Sequence, residues 1–286
     1  MLELLEFYEK FDYLFALAFS VLVWLIGYFS KHFVNQLKRA KIGKALRLNK
    51  GPVSILIPDR HGKLTLSSEG STTELTDCFV TKGEMEAACE LKDEMRNFGL
   101  VATISNRPTK EKNANIFCIG GPLSNANTAR YFRNKSVFQS ITIGVHKDSQ
   151  YLSERNRKGL ADLVHEDTYY EDGQLQGSIN LNGKTVFTFN RGREGYIFLA
   201  RLTSKADFHN GKNEVVHICF GNNSVTTLSA IKCYFDEYDE LSKLTKHKGH
   251  YCLIIRCDKE GNLNFNDIHD FTNEFLKQNV KVSSKP

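Results

Sequence analysis

The sequence predicts an α/β protein: a single membrane-spanning helix near the N-terminus, then a domain in which short apolar strands alternate with helices. Three observations carry this. Residues 13–30 contain no charged side chain. Beyond residue 50, apolar runs of about five residues alternate with longer stretches of helical periodicity, the order expected of a sheet with helices on its faces. One arrangement, an apolar strand ending in glycine and followed by small polar residues and a helix, occurs twice.

Residues 13–30 lie between Asp12 and Lys31. As a helix rising about 1.5 Å per residue they span roughly 27 Å, close to the hydrocarbon thickness of a bilayer. Tyr13, Trp24, Tyr28 and Phe29 are aromatics of the interfacial type. A cleavable signal peptide opens with basic residues, whereas Glu3, Glu6, Glu9 and Asp12 precede this segment and no small-x-small site closes it. The segment therefore reads as retained. After it come Lys31, Lys38, Arg39, Lys41, Lys44, Arg47 and Lys50, with no acidic residue among them. Such cations gather on the cytoplasmic flank, so the expected topology is single-pass in a cell inner membrane. Residues 1–12 lie outside, 13–30 cross, 31–50 form a basic stem against anionic headgroups, and 51–286 form the cytoplasmic domain. The formal net charge of +5 owes much to that stem. The near-neutral remainder argues against a specific nucleic-acid surface.

The cysteines Cys78, Cys89, Cys118, Cys219, Cys233, Cys252 and Cys257 form no Cys-x-x-Cys pair and no zinc spacing. No metal is expected, and a reducing compartment fits.

Taken in order, 33–48 reads as a basic amphipathic helix stopped by Gly51-Pro52, and 53–57 as the first strand. The Ser/Thr-rich stretch 65–76 reads as a loop. Residues 82–98 carry Met85, Ala88, Cys89, Leu91 and Met95 at helical spacing, with Gly99 as the stop. Strands follow at 100–104 and 115–119. Residues 138–202 change texture and read as a β-rich insertion, with strands at 141–145 and 196–201 and a hairpin across 175–189 turning at Asn182-Gly183. The α/β pattern returns with a strand at 214–220, a turn at 221–227, a helix at 228–244 and a strand at 251–255. A helix at 265–276 opened by Asn264 or Asn266 closes the domain.

The repeated crossing is the main functional signal. Strand 115–119 runs into Gly120-Gly121-Pro122-Leu123-Ser124-Asn125-Ala126-Asn127-Thr128, and strand 214–220 into Gly221-Asn222-Asn223-Ser224-Val225-Thr226. If the two strands are parallel neighbours, both following helices point their N-termini into one crevice, where free N–H groups suit a phosphate. Gly120, Gly121, Asn125, Thr128, Gly221, Ser224 and Thr226 are the candidate ligand-binding residues, with Arg60 as an added cation. Glycine and Asn/Ser/Thr are also ordinary turn and cap chemistry, so the turns serve either a ligand or the fold alone.

Catalytic signals are few. A P-loop, a Gly-x-Ser-x-Gly elbow and a His-Glu-x-x-His helix are absent. Asp59 and His61, flanking Arg60 after the first strand, are candidate general bases. Glu84 and Glu86 are candidate carboxylates for a glycosidase-like or ribosyl-transfer site, or simply acids favoured by a helix N-terminus. His165-Glu166-Asp167 is a conceivable metal cluster.

The turn Ile119-Gly120-Gly121-Pro122-x-x-Asn125-x-x-Thr128 and the later Phe220-Gly221…Thr226 turn resemble those of bacterial proteins with a Rossmann-like core, some of them membrane-tethered modules of signalling and phage-defence systems. The resemblance covers about residues 53–257. It implies a Rossmann-like cytoplasmic domain with an antiparallel hairpin insertion, acting as a sensor or effector of a small phosphorylated or nucleotide-like ligand. The second turn departs from the richer Gly-x-x-Gly-Thr form, which counts against retained catalysis. The implied partners are an anionic phospholipid bilayer, the ligand and further copies of the chain, with no cofactor. A nucleotide or N-glycosidic bond hydrolase and a non-catalytic membrane scaffold are the alternatives.

Overall fold

The computed structural model of the chain describes residues 2–48, 50–58, 60–68, 71–108, 111, 113–133, 141–146, 162–169, 173–181, 183–204, 214–245 and 249–272. It divides into two compact units, Met1–Lys44 and Ala45–Pro286.

The first unit is helical. α1, Leu2–Leu46, is continuous, so residues 2–12, the apolar segment and the basic stem as far as Leu46 belong to one helix. Within it, Tyr13–Leu46 is long and apolar enough to cross a membrane, and its best 18-residue window has mean hydropathy 1.9 and no buried residue. Ser20 Oγ donates to the Ala16 carbonyl (2.8 Å) and Ser30 Oγ to that of Gly27 (3.0 Å). Both hydroxyls are thereby satisfied inside the helix, as a hydrocarbon environment requires. Trp24 stacks on Tyr28 (5.7 Å) and Tyr28 on His32 (6.4 Å), an aromatic ladder beside Lys31.

The second unit is built on a seven-stranded sheet. Its strands are β1 (Val53–Leu56), β4 (Ala102–Ser105), β5 (Asn115–Ile119), β11 (Glu194–Ser204), β12 (Glu214–Gly221), β13 (Tyr251–Asp258) and β14 (Leu263–Asp270), in the order β14-β13-β11-β12-β5-β1-β4. The run β4-β1-β5-β12 is parallel and the run β12-β11-β13-β14 antiparallel. β1 and β5 are buried at every residue, the signature of central strands covered on both faces.

Two helices cover one face: α2 (Lys82–Asn97) and α4 (Ser224–Phe235), which meet at Phe98 and Phe235 with ring centres 6.5 Å apart. The other face carries α3 (Ala126–Arg133) and a second sheet. That sheet comprises β6 (Ile141–Val145), β7 (Val164–Glu166), β8 (Thr168–Tyr169), β9 (Leu175–Leu181) and β10 (Lys184–Asn190). Phe132 of α3, Phe187 and Phe189 of β10, and Phe198 and Phe220 of the central sheet share one apolar cluster. Burial of such rings, each worth about 1.5–3 kcal/mol, holds the layers together.

Four expectations are corrected. Residues 65–76 are not a loop: β2 (Arg60–Ser68) and β3 (Ser71–Phe79) pair antiparallel, because threonine alternating with leucine is good strand chemistry despite its polarity. The helix expected at 228–244 starts earlier and breaks at Asp236, giving α4 and α5 (Tyr238–Thr245). The closing helix is instead β14, where Asn264 and Asn266 are the outward positions of a period-two strand rather than caps. Residues 138–202 are not one β-rich unit, since β11 lies in the central sheet between β12 and β13. Residues 273–276 lie outside the described residues.

Candidate functional site

β5 and β12 are neighbours, paired in parallel with Ile119 opposite Cys219. Each strand ends in one of the two glycine turns, which therefore lie side by side. The helices that follow leave on opposite faces. Phe132 of α3 packs on Phe198 (5.5 Å) and Phe220 (6.1 Å), whereas Tyr234 of α4 packs on Phe117 (6.4 Å) and His217 (5.8 Å). Adjacent parallel strands whose helices diverge in this way open a crevice at their carboxyl ends, where α/β sheets bind ligands.

The first turn is braced from behind. Gly120 has φ +92°, a conformation glycine adopts without strain, and its N–H donates to the Cys219 carbonyl (3.1 Å). Asn125 is fully buried and spends its whole amide on the backbone. Nδ2 donates to the carbonyls of Leu56 (3.0 Å) and Ile119 (2.7 Å), and Oδ1 accepts from the N–H groups of Asn127 (2.9 Å) and Thr128 (3.4 Å). Thr128 Oγ1 donates to the Gly120 carbonyl (2.8 Å). One asparagine thus ties β1, β5 and the start of α3 together.

The second turn is a capping box. Asn223 Oδ1 accepts from Thr226 N–H (2.9 Å), and Thr226 Oγ1 accepts from Asn223 N–H (3.1 Å). Thr227 Oγ1 accepts from Gly221 N–H (3.1 Å) and donates to the Asn223 carbonyl (2.8 Å). Asn222 Oδ1 receives Tyr196 N–H (3.1 Å), fastening the turn to β11.

The start of α2 completes this side. Thr81 and Glu84 form another capping box, with Thr81 N–H and Oγ1 donating to Glu84 Oε2 at 3.1 and 2.7 Å. Ser124 Oγ donates to Glu84 Oε1 (3.3 Å). A side chain at Gly83 would meet the Ser224 carbonyl at 2.7 Å, so the starts of α2 and α4 are in close contact.

A cavity of about 410 Å³ lies over these turns. Gly121–Ser124, Gly221–Ser224, Thr81 and Glu84 line one part, Phe220 and Tyr196 another, and Ile143–His146 with Arg191 bring in the second sheet. Arg191 stands in the turn between β10 and β11. Its Nε pairs with Asp167 and its Nη2 with the Gly144 carbonyl. Burial raises the Tyr196 phenol well above its ordinary value, against a smaller opposing pull from Arg191, so Tyr196 presents a neutral hydroxyl.

Of the residues singled out in the sequence, Gly121, Gly221, Ser224 and Glu84 line the cavity. Gly120, Asn125, Thr128 and Thr226 brace the turns instead. Arg60 and His61 open β2, where Arg60 pairs with Phe79 and His61 with Cys78. Asp59 lies outside the described residues. Glu86 is exposed and pairs with Lys82 (3.6 Å). His165 bonds Thr142 and Ser178 while Asp167 takes Arg191, so this acidic stretch is a polar brace rather than a metal cluster. Sequence reading missed Arg191 and Tyr196. The motif Asn190-Arg191-Gly192 marked a turn but nothing about which way the arginine faces.

Comparison with protein-family models, curated proteins and solved structures found no significant match. The second unit is an α/β domain with a parallel-strand core, consistent with the fold class that binds nucleotides and other small ligands.

Proposed function

We propose that the chain is a membrane-anchored sensor or effector whose cytoplasmic domain binds a small phosphorylated, nucleotide-like ligand in the crevice between β5 and β12. The observation that carries this is the pairing of Ile119 with Cys219, which sets two glycine turns and two helix starts around one cavity. Asn125 and Asn223 already accept from N–H groups at the starts of α3 and α4, and the positive ends of the helix dipoles there still favour an anion. Arg191 adds a fixed cation. Anchoring rests on α1, and a cytoplasmic domain on the basic stem after its apolar segment. The resemblance to membrane-tethered signalling and defence modules supports a ligand that acts as a signal.

Binding is favoured over hydrolysis by the state of Glu84. Among the described residues it is the one carboxylate lining the cavity, and its oxygens already accept from Thr81 and Ser124.

Thermal melting of the full chain in detergent micelles, against a panel of nucleotides, cyclic nucleotides and dinucleotides, tests the proposal. A ligand at a hundred times its Kd stabilises the folded state by about 2.7 kcal/mol. A panel with no stabilising member at millimolar concentration contradicts the proposal.

A further inference from the structure

Tyr196 is only 2% exposed and lines the cavity, yet its hydroxyl completes no hydrogen bond among the described residues. A phenol buried to this degree ordinarily has a partner. Its ring is fixed by edge-on contacts with Phe187 (5.9 Å), Phe189 (5.2 Å) and Phe220 (6.3 Å), which give the hydroxyl a set direction. Burial keeps the phenol protonated, against the smaller pull of Arg191, so the group has a proton to donate.

Arg191 stands on the same aromatic support, its guanidinium over the Phe189 ring (5.4 Å). Behind it the Asp167 carboxylate is entirely buried, a placement that is unfavourable unless the charge is paired and hydrogen-bonded. It is both. Ser178 donates to it through N–H (3.1 Å) and Oγ (3.4 Å), and Arg191 supplies the cation. The carboxylate occupies the space a side chain at residue 144 would need, since a Cβ on Gly144 would lie 1.8 Å from Asp167 Oδ1. The guanidinium is thus held through Nε by Asp167 and through Nη2 by the Gly144 carbonyl. Its Nη1 makes no hydrogen bond among the described residues.

A guanidinium only donates, and the phenol beside it has a proton to give, so the pair suits a group made of acceptors. Phosphate oxygens are such acceptors, and a fixed guanidinium edge matches their geometry. Charge limits how many phosphates fit. Among the described residues Arg191 is the one lysine or arginine lining the cavity, and Asp167 already balances it. A triphosphate would bring several negative charges to that one balanced cation, whereas a single phosphate would not. About 410 Å³ is within the range of small-molecule sites.

We propose that the Tyr196 hydroxyl and the free edge of Arg191 together receive one phosphate group, with Asp167 as the positioning residue that aims Arg191, and that the cavity selects ligands carrying a single phosphate. This rests on the crevice being the ligand site. The phosphate is either a terminal monoester or the diester of a cyclic nucleotide.

The test is calorimetric titration of the full chain in detergent micelles. The single-phosphate probes are AMP, GMP, CMP, UMP, cyclic AMP and cyclic GMP, set against ATP, GTP, CTP and UTP. At least one single-phosphate probe should bind, several-fold more tightly than the triphosphate of the same base. A triphosphate that binds as tightly overturns the inference. The tighter of the open and cyclic forms identifies the ester. Tyr196→Phe keeps the ring and its three contacts, so the melting temperature without ligand should be unchanged or raised. Binding of the best single-phosphate probe should weaken about tenfold or more, the worth of a hydrogen bond to a charged group. Unchanged binding overturns the inference. Should that variant fail to fold, Arg191→Lys decides, because lysine leaves Asp167 a cation but removes the fork of donors. The same loss is expected there, and unchanged binding again overturns the inference. If no single-phosphate probe binds while a dinucleotide does, this inference alone falls. If the whole panel is blank, the crevice reading falls with it.

Discussion

Gly120 N–H donates to the Cys219 carbonyl across a 3.1 Å gap, so the first glycine turn is hydrogen-bonded to the end of the strand that carries the second. Two turns about a hundred residues apart in sequence are thereby held as one surface.

The two cavity glycines differ in what constrains them. A Cβ at Gly221 would lie 2.0 Å from Thr226 Oγ1 and 2.6 Å from the Thr226 carbonyl carbon, inside the capping box. At Gly121 the nearest atom is Cδ2 of Phe220 at 3.2 Å, which a small ring shift relieves. Gly221→Ala is expected to destabilise the domain by roughly 2–4 kcal/mol and Gly121→Ala by about 1 kcal/mol or less. Urea unfolding measures both. Equal effects would mean that the capping box does not set the second turn.

Asn125 is expected to be among the most sensitive polar positions. Asn125→Ala leaves the Leu56 and Ile119 carbonyls and the Asn127 and Thr128 N–H groups without their partner, at a cost of about 3 kcal/mol or more. Asn125→Asp keeps the acceptor but sets a carboxylate against two carbonyls, and should not rescue. The check is the unfolding midpoint of each variant.

Stability should fall on mild acidification through His217. The ring is fully buried, stacked on Phe117 at 4.4 Å, and neither nitrogen completes a hydrogen bond among the described residues. The Leu46 backbone lies near enough to favour the protonated ring slightly, short of hydrogen-bond geometry. Burial first, and the Arg201 charge second, hold its pKa well below the ordinary 6.5. The unfolded chain therefore binds the proton first. Its contribution is fully present above about 6.5 and is lost progressively as the pH falls from there toward the folded value. His250 shifts the same way for the same leading reason. His217→Phe keeps the stack and has nothing to protonate, so melting curves from pH 8 to 5 should be flatter than those of the wild type. An unchanged slope would assign the acid sensitivity elsewhere.

The membrane proposal makes a separate prediction. The chain should remain in the membrane fraction through an alkaline carbonate wash. Protease added to the outside of intact cells should leave residues 51–286 uncut, since the cations from Lys31 to Lys50 orient the helix. Release by carbonate would reject anchoring, and cleavage from outside would reverse the orientation.

Much of this was legible in the sequence because it is local. The runs 53–57 and 115–119 are apolar on both faces and became β1 and β5. Gly99 marked the end of α2, and the repeat of strand, glycine and small polar residue marked both turns. Other features were not local. Asn264 and Asn266 look the same as caps or as the outward positions of a strand, and only pairing with β13 decides between them. Nothing within residues 194–204 says that β11 inserts between β12 and β13. Asn125 and Thr128 carry the turn chemistry of ligand contacts, yet they donate to backbone carbonyls, Asn125 to Leu56 of β1 and Ile119 of β5 and Thr128 to Gly120. Arg191 owes its direction to Asp167 and to the missing side chain at Gly144, residues 24 and 47 positions away.

The most direct test of the crevice is amide hydrogen exchange on the full chain, with and without the best stabilising ligand from the nucleotide panel. Slowed exchange is expected in residues 121–124 and 222–226 together, with the turn at 191–193 following, since one ligand covers both helix starts and Arg191. Protection of a different segment, or of one turn without the other, would contradict a shared site between β5 and β12.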